Sequence, residues 1–414
     1  MKINKLSAAL ALLAINGAWA SQVSIDEVIV SDNLYPEKFA AELQNNLNFF
    51  RDGVGVDVAA KVPYDTIFIR DGKTVDPAYY VNSTEIGFYL NVLVEMEKAG
   101  NKDALVRISE VLDTMDNAPN WNGLFFWPYN IVDGQLETTK EGVVPAVDNA
   151  NFVFSLLGVA GAFLDSEEPA KQKIVQRIEE RLQMQKKAWA QMYDPSRKLL
   201  RAGINGHTGE NLTYFIDRKA NESRLAPLWA ALITKDLGEK AVPQEAFNNM
   251  ELYTTEYKIK GKKYTPMLTW DGAYFQGMLP SIYLDEKVLM PDYSIVEDMT
   301  YIQKLYAREY NIPLVSSSAT VDDRYAPYGI PYIAEKKVKF GHDVHDDKTG
   351  TPHATALSYM VDPDMAIEAL LGIKSVYPEV ESDFGWYDAI KRNGEMSTKI
   401  LSLDQGMFVG AFMS

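Results

Sequence analysis

The chain has 414 residues, of which 47% are hydrophobic and 24% charged, a composition typical of globular proteins and unlike that of disordered chains. Its 41 basic and 57 acidic residues give a net charge of −16, which disfavours a nucleic-acid backbone or an anionic membrane surface as partner and fits a neutral or cationic substrate. The absence of cysteine excludes disulfides, thiolate zinc sites and cysteine nucleophiles, and four histidines argue against a histidine-rich metal centre.

The first twenty residues have the pattern of a secretory signal peptide. Lys2 and Lys5 give a positive start, residues 6–15 are apolar, and Ala18-Trp19-Ala20 has the form of a cleavage site. We therefore expect residues 1–20 to be removed and the protein to be exported, to a bacterial periplasm or beyond the cell. The apolar stretch is shorter than the ~20 residues that span a bilayer, and no later segment is predicted to span one. We expect a soluble, monomeric protein with a single domain over residues 21–414.

Helical periodicity dominates the remaining chain. A stripe of apolar residues at helical spacing predicts an amphipathic helix at Leu105, Ile108, Val111, Leu112 and Met115. Further stripes run through residues 89–94 and through 174–192, in a charged segment that opens near Pro169. Residues 152–164 are apolar on every side, as in a helix that is buried on all faces. Alternation of amphipathic and wholly buried helices predicts two concentric layers of helix.

The segments between the predicted helices are bulky and aromatic, as in residues 121–128 and 269–275. Irregular loops of this kind are where binding surfaces are usually built. Strand-like runs at 66–70 and 252–264 predict short β-hairpins on a helical body. The predicted fold class is therefore all-α with small β decorations.

Common motifs for nucleotide binding, metal binding and nucleophilic serine catalysis are missing from the sequence. It contains no Walker loop, G-x-S-x-G, H-E-x-x-H or EF-hand motif. Gly203, Gly206 and Gly209 have the spacing of a turn and not of a dinucleotide fingerprint. His342 and His345 stand in a loop with acidic residues, where a solvated surface turn is the favoured interpretation and a metal site the alternative. We expect neither a cofactor nor a metal.

Carboxylates are abundant, and paired carboxylates are the usual groups that cut glycosidic bonds. Asp148 comes just before the buried helix, so it is either an N-cap or a carboxylate that faces a cavity inside the inner layer. For Glu222, the simplest structural interpretation is an ion pair with Arg218 or Arg224.

Short motifs follow one another in a fixed order from about Ser83 to the C-terminus. They include Asn82-Ser83-Thr84-Glu85-Ile86-Gly87, Trp121-Asn122-Gly123, Tyr193-Asp194-Pro195, Asn221-Glu222-Ser223-Arg224-Leu225-Ala226, Tyr325-Ala326-Pro327-Tyr328-Gly329-Ile330-Pro331 and Pro352-His353-Ala354-Thr355-Ala356-Leu357. Together they resemble elements of the bacterial glucoamylase-like family of glycoside hydrolases, which includes β-1,2-glucanases and the transglycosylating domain of cyclic β-1,2-glucan synthases. The last motif resembles P-Y-A-T-A-L. The family fold is an (α/α)6 barrel, in agreement with two helical layers.

The chain also departs from that family. Gln276 stands where the family usually has a glutamate, and Ser317 stands where the synthase branch has a glutamate that acts as acid/base. The residue that matches Asp388 is a glutamate in the synthase branch and an aspartate in the β-1,2-glucanase branch, where the partner acid matches Glu222. The resemblance therefore implies the hydrolytic, inverting branch.

The resemblance implies an exported glycoside hydrolase that acts on a β-glucan, with β-1,2-linked glucan or its oligosaccharides as the first choice. Glu222 is the expected general acid, with a pKa raised by burial, and Asp388 the expected general base. Asp148 and Asp404 are expected to orient sugar hydroxyls or water. The other candidates for substrate binding, for whose aromatic members core packing is an equal alternative, are Trp121, Trp127, Trp270, Tyr274, Gln276 and Trp386.

Two rival hypotheses remain open at this point. A catalytically silent protein for glycan binding or envelope polysaccharide assembly, built on the same fold, is suggested by the missing carboxylates at Gln276 and Ser317. Alternatively, the enzyme acts on another β-glucan or an exopolysaccharide oligomer, because details of the site, and not the fold, decide specificity.

Overall fold

The computed structural model describes residues 23–31 and 36–413, so the predicted signal peptide lies outside the described residues. The described part is mainly helical, as predicted. Its α-helices are α1 (Ala40–Leu47), α2 (Ser83–Lys98), α3 (Lys102–Asn117), α4 (Ala146–Phe163), α5 (Pro169–Met184), α6 (Lys186–Gln191), α7 (Leu225–Ile233), α8 (Glu245–Asn248), α9 (Tyr274–Met278), α10 (Glu286–Leu289), α11 (Ser294–Tyr310), α12 (Glu335–Val338), α13 (Pro352–Leu357), α14 (Pro363–Val376) and α15 (Ser402–Met413).

The strands are short except for two that form one hairpin. They are β1 (Thr66–Arg70), β2 (Thr74–Ala78), β3 (Tyr80–Val81), β4 (Asn120–Trp121), β5 (Leu124–Phe125), β6 (Trp127–Val132), β7 (Gln135–Pro145), β8 (Tyr193–Asp194), β9 (Leu199–Arg201), β10 (Gly203–Asn205), β11 (Glu210–Asn211), β12 (Phe215–Ile216), β13 (Tyr257–Ile259), β14 (Lys262–Tyr264), β15 (Thr349–Gly350), β16 (Glu381–Ser382), β17 (Gly385–Trp386), β18 (Ile390–Lys391) and β19 (Lys399–Leu401).

Inner and outer helices alternate along the chain. The inner helices α2, α4, α7, α9, α13 and α15 contact one another in that order, with the 3-10 turn Glu222–Arg224 joining α7 to α9, and α15 contacts α2. Each inner helix also packs on one outer helix: α2 on α3, α4 on α5, α7 on α8, α9 on α11, α13 on α14, and α15 on α1. The two predicted layers are therefore present, because apolar stripes of the outer helices cover the more completely buried inner ones.

The first turns of neighbouring inner helices meet at one end. Thr84 at the start of α2 donates a hydrogen bond to Asp148 near the start of α4 (2.9 Å), and further along the same helices Gly87 faces Ser155. A Cβ atom on Gly87 would lie 2.5 Å from Ser155 Oγ, so only glycine permits this approach. The end at which these first turns gather is called the mouth below. It carries Glu85, Asp148, Glu222, Gln276, His353 and Asp404.

Two helix predictions need correction. Residues 152–163 of that segment belong to α4, which starts earlier, at Ala146, and is not buried on every side, because Leu157 is 37% exposed. Leu164, just beyond the end of α4, is 58% exposed. With this added length, α4 is the one helix in the described part that is long and apolar enough to cross a membrane, although 56% of it is buried. Its apolar residues pack on α2, α5 and α7. The stripe 174–192 is divided between α5 and α6, which Gln185 separates.

The β structure is larger than predicted. The expected strand at 66–70 is β1, and the segment 252–264 contains the hairpin β13–β14. The sequence analysis missed a five-stranded antiparallel sheet with the order β11-β10-β7-β6-β3. Its main hairpin turns at Asp133 and Gly134, both with positive φ, and an Asp-Gly pair between alternating residues is a strong hairpin signal. The chain is therefore mainly helical and not all-α.

Candidate active site

Four inner helices carry a carboxyl or amide side chain at the third residue. These residues are Glu85 in α2, Asp148 in α4, Gln276 in α9 and Asp404 in α15. Backbone N–H groups are unpaired in the first turn of a helix, and the helix dipole favours negative charge there. The architecture therefore gathers acidic groups at the mouth and gives each a defined position.

Glu222 opens the 3-10 turn that leads into α7. Asn221 caps this turn by accepting a hydrogen bond from the Ser223 backbone N–H (2.9 Å). Burial raises the pKa of Glu222 to about 7, and the charges of Asp148 and Asp271 act in the same direction. Glu222 Oε2 is buried and has no hydrogen-bond partner among the described residues. A carboxyl group in this state holds a proton close to neutral pH.

The ion-pair interpretation of Glu222 is wrong. Arg224 instead pairs with Glu286 (2.8 Å) and also donates to the carbonyl of Gly277 (2.9 Å). Arg218 pairs with Glu335 (2.8 Å). Both arginines that could neutralise Glu222 are thus held by other carboxylates.

Asp388 lies just before β18 and is 1% exposed, and its backbone N–H donates to the carbonyl of Lys399 in β19, the strand that leads directly into α15 at the mouth. Its Oδ1 accepts a hydrogen bond from the Leu401 backbone N–H (2.9 Å), while Oδ2 has no partner among the described residues. Burial raises the pKa of Asp388 well above its usual value, the charge of Asp404 adds to this, and Lys399 opposes it. The Oδ2 atom is therefore a buried basic oxygen whose hydrogen-bonding capacity no described residue uses.

Asp148 is not the N-cap of α4. Pro145 occupies that position, and Asp148 stands in the first turn, where Oδ1 accepts the hydrogen bond from Thr84. Burial raises the pKa of Asp148 to about 6, although the bond from Thr84 lowers it. The alternative interpretation, a carboxyl group at the mouth, agrees with this position.

Three residues near the mouth were not identified as site residues from the sequence. His353 is 2% exposed and lies between Ser318 and Asp404. Glu85 is fully buried, and burial followed by the charge of Asp65 raises its pKa. Tyr325 is 60% exposed, yet desolvation of its hydroxyl and the nearby charge of Glu222, then of Asp404, raise its pKa. Their position in the sequence could have identified two of them, because Glu85 and His353 both lie in the first turn of an inner helix.

The aromatic candidates fall into two groups. Trp127 and Trp270 are 45% and 41% exposed, and Trp121 is half-buried. Tyr274 is fully buried, with its hydroxyl 2.8 Å from Thr300 Oγ1, and Trp386 is 1% exposed and donates to Glu381 (3.1 Å). Tyr274 and Trp386 are therefore core residues, which corrects their assignment to substrate stacking.

The two positions that lack the glutamates of the resembled family also lie in polar, buried surroundings. Gln276 Oε1 and Ser317 Oγ are buried without a hydrogen-bond partner among the described residues. No group of three His, Cys, Asp or Glu side chains in the described ranges could hold a metal ion. In the loop considered above for metal binding, His345 Nε2 lies 2.8 Å from the Tyr328 hydroxyl.

The opposite end of the inner helices has a different character. A cavity of about 470 Å³ lies there, lined mainly by apolar and aromatic side chains such as Phe88, Tyr283 and Met413. Its charged residues, Glu95 and Lys98, are paired at 2.7 Å. Within the described residues, the buried carboxyl oxygens without a hydrogen-bond partner are thus concentrated at the mouth, which is the candidate active site.

No family model matches the chain, and no curated protein matches it in sequence. Solved structures do match. A candidate glucoamylase from Bacteroides caccae ATCC 43185 superposes with a TM-score of 0.72 at 15% identity, over 91% of this chain and 92% of that one.

Two endo-β-1,2-glucanases have a similar fold. The enzyme from Talaromyces funiculosus, in complex with β-1,2-glucan, gives a TM-score of 0.75 at 12% identity, over 91% of this chain and 83% of that one. The enzyme from Chitinophaga pinensis, in complex with sophorotriose and glucose, gives 0.68 at 14% identity, over 91% of both chains. This chain therefore has the fold of these proteins, at low sequence identity.

Proposed function

We propose that this chain is an exported glycoside hydrolase with an (α/α)6 barrel, which cleaves β-1,2-glucan or its oligosaccharides with inversion at the anomeric carbon. The cyclic order of contacts among the six inner helices supports the barrel. The signal-peptide pattern in residues 1–20 supports export, with the periplasm as the expected compartment.

The observation that carries the proposal is the state of Glu222 and Asp388. Both carboxyl groups are buried at the mouth, both have a raised pKa, and each has one oxygen atom without a hydrogen-bond partner in the described part of the chain. Buried polar atoms are almost always hydrogen-bonded in folded proteins, and perturbed carboxyl pairs concentrate at functional sites. The fold shared with two β-1,2-glucanases supports β-1,2-glucan as the proposed substrate class.

The two groups divide the chemistry of an inverting hydrolysis. Protonated Glu222 donates its proton to the glycosidic oxygen while the bond from that oxygen to the anomeric carbon breaks. Ionised Asp388 accepts a proton from the attacking water, directly or through a substrate hydroxyl, while the water oxygen bonds to the opposite face of the carbon. Asp148 and Asp404 orient sugar hydroxyls or water beside them.

Digestion of defined glucans tests the proposal. The purified protein is expected to release oligosaccharides from linear β-1,2-glucan and to act weakly or not at all on β-1,3- and β-1,4-glucans, as measured by chromatography. NMR of the first product formed is expected to show the inverted anomer. A retained anomer would contradict the role of Asp388 as a base.

A second candidate function is supported by the unpartnered polar atoms of Gln276 and Ser317, which stand where the resembled enzymes carry glutamates. Such groups can bind sugar hydroxyls without performing chemistry. Calorimetric binding of β-1,2-gluco-oligosaccharides without any product from any glucan would favour a glycan-binding protein over the enzyme.

A further inference from the structure

His353 makes two polar contacts at the mouth that the proposed hydrolysis does not use. Its Nε2 atom lies 2.8 Å from Ser318 Oγ, and its Nδ1 atom lies 3.1 Å from Asp404 Oδ2. The three side chains come from the loop before α12, from α13 and from α15, and none is more than 2% exposed. A buried imidazole between a hydroxyl and a carboxylate is thereby held in a fixed orientation.

The contacts indicate the tautomer of this imidazole. If Ser318 donates its hydroxyl proton to Nε2, the ring proton is on Nδ1, next to Asp404. The Nδ1 atom is within ion-pair distance but is not aligned for a hydrogen bond, and polar contacts in unliganded sites are often misaligned in this way. A proton on Nδ1 faces the Asp404 carboxylate and attracts it through its partial positive charge.

We infer that His353 is a positioning residue that holds the Asp404 carboxylate in place and, through Asp404, makes Asp388 a stronger base. The inference rests on the proposed function, because that function assigns Asp388 to the activation of water. His353 replaces the tyrosine of the resembled P-Y-A-T-A-L motif, so the device is a property of this chain.

Among the described residues, three charged groups have the largest influence on the pKa of Asp388. Asp404 from α15 and Asp323 from the loop before α12 raise the pKa of Asp388, after burial as the main cause, whereas Lys399 from β19 lowers it. An ionised Asp404 is the largest of these charge effects. A change in the charge or position of Asp404 is therefore expected to change the basicity of Asp388.

The spacing of Ser318, His353 and Asp404 resembles that of a nucleophilic serine with its histidine and aspartate. Ser318 is fully buried, however, so its oxygen is not accessible to an ester or glycoside. The misaligned Nδ1 contact is also unfavourable for transferring a proton from Ser318. These observations assign the three residues to positioning and not to covalent catalysis.

NMR titration of the Asp388 carboxyl carbon tests the inference without any substrate. The protein is labelled with ¹³C at aspartate, and the signal of Asp388 is the one missing from Asp388→Asn. In Asp404→Asn and in His353→Phe, this titration is expected to move to lower pH by on the order of one unit, because the negative charge next to Asp388 is lost or is no longer held in place. Since both substitutions act on one group, the double variant should shift no further than Asp404→Asn alone.

Two further variants serve as controls. His353→Gln retains an N–H donor for Asp404 and should keep most of the wild-type midpoint, while His207→Phe, at an exposed histidine, should leave it unchanged. If His353→Phe leaves the midpoint of Asp388 in place or moves it upward, or if its shift adds to that of Asp404→Asn, the inference is overturned. Thermal melts establish that each variant is folded, and His353→Leu, which also lacks an N–H donor, carries the test if the phenylalanine variant is not.

Kinetics on β-1,2-glucan provides a second readout. A weaker base should lower kcat about tenfold in His353→Phe with KM nearly unchanged, and should move the acidic limb of the pH profile to lower pH. Glutamine at this position should restore part of the rate. If no glucan is hydrolysed, the proposed function fails while the NMR result still decides the role of His353. Labelling of Ser318 by a fluorophosphonate, absent in Ser318→Ala, would replace the positioning role with a nucleophilic one.

Discussion

Charged groups that are buried in the outer layer differ from those buried at the mouth in how completely they are hydrogen-bonded. In the outer layer, the fully buried Arg107 of α3 forms a bidentate pair with Asp52 (2.6 and 2.8 Å). Its remaining donors reach Glu110 (2.9 Å), the Tyr89 hydroxyl (2.9 Å) and the carbonyl of Val23 (2.8 Å). At the mouth, Glu222 and Asp388 each keep a buried oxygen without a hydrogen-bond partner in the described ranges.

Two residues of a single turn show the same difference in hydrogen bonding. Glu222 and Arg224 are two residues apart, but Arg224 is bound to Glu286 and Gly277, while Glu222 Oε2 has no hydrogen-bond partner among the residues that the structure describes. The bound arginine fixes the turn and cannot move to neutralise the carboxyl group. Burial of a charge with all its partners serves the fold, whereas burial of an incompletely paired carboxyl group costs stability and gives it an altered pKa.

The largest expected effect is a loss of activity when either of the two incompletely hydrogen-bonded carboxyl groups is replaced. Glu222→Gln and Asp388→Asn are each expected to lower kcat on β-1,2-glucan by on the order of 10²–10⁴, the usual contribution of general acid or base catalysis. Both variants should remain folded by circular dichroism, because neither loses an ion-pair partner. A substrate with an activated aryl leaving group needs little protonation, so it should partly restore the rate of Glu222→Gln and not that of Asp388→Asn. Near-normal rates in both folded variants would assign these residues to structure.

Substitution of the paired Arg107 in the outer layer should instead lower stability. Arg107→Met leaves the carboxylate of Asp52 buried without its partner, and we expect the free energy of unfolding to fall by about 3–5 kcal/mol. Denaturant unfolding measures this loss. A double variant with Asp52→Leu should recover much of it, since an apolar pair removes the unpaired charge. The kcat of the protein that remains folded should stay within about twofold of wild type, because a surface away from the mouth makes no contact with the reacting atoms.

The raised pKa of Glu222 predicts a stability change with a defined sign. Glu222 is protonated below pH 7 in the folded protein and only below its ordinary value in the unfolded chain. Its contribution to stability is thus fully present at low pH and is lost as the pH rises through about 7. Glu222→Gln should therefore unfold with a free energy on the order of 2 kcal/mol higher than wild type at pH 8, with no difference near pH 4.

Glu286→Gln is the matched control for that measurement. This substitution removes a paired carboxylate and leaves Arg224 without its partner, so it should destabilise the protein at pH 8. An equal loss of stability in both variants would show that Glu222 is a structural ion and would contradict the comparison.

Helical layers were predictable from the sequence because burial leaves a periodic apolar pattern, as at Ile108, Leu112 and Met115. The hairpin around Asp133 and Gly134 was also present in the sequence as a turn signal but was not used. The pairing of Arg224 with Glu286 was not predictable, because partners 62 residues apart meet only through the fold. For the same reason, neither the unpaired state of Glu222 nor the position of His353 beside Asp404 could be read from local sequence.

The smallest expected effect separates exposed from buried tryptophans. Trp270 is 41% exposed and precedes Asp271, whose charge reaches Glu222, whereas Trp386 is 1% exposed and packs on Phe39 and Phe408.

Trp270→Ala should weaken the binding of long β-1,2-gluco-oligosaccharides by about 0.5–1.5 kcal/mol, which is roughly two- to tenfold in KM, because an exposed ring beside the mouth can stack on a sugar. Shorter oligosaccharides that do not reach this ring should bind as they do to wild type. Trp386→Phe removes the hydrogen bond to Glu381 and a part of the core, so it should lower the melting temperature and leave KM unchanged for every chain length. Steady-state kinetics with oligosaccharides of increasing length measures KM for both variants, and thermal unfolding measures their melting temperatures. If Trp386→Phe changes affinity in proportion to chain length and Trp270→Ala does not, the stacking surface lies elsewhere and the assignment of the exposed ring is wrong.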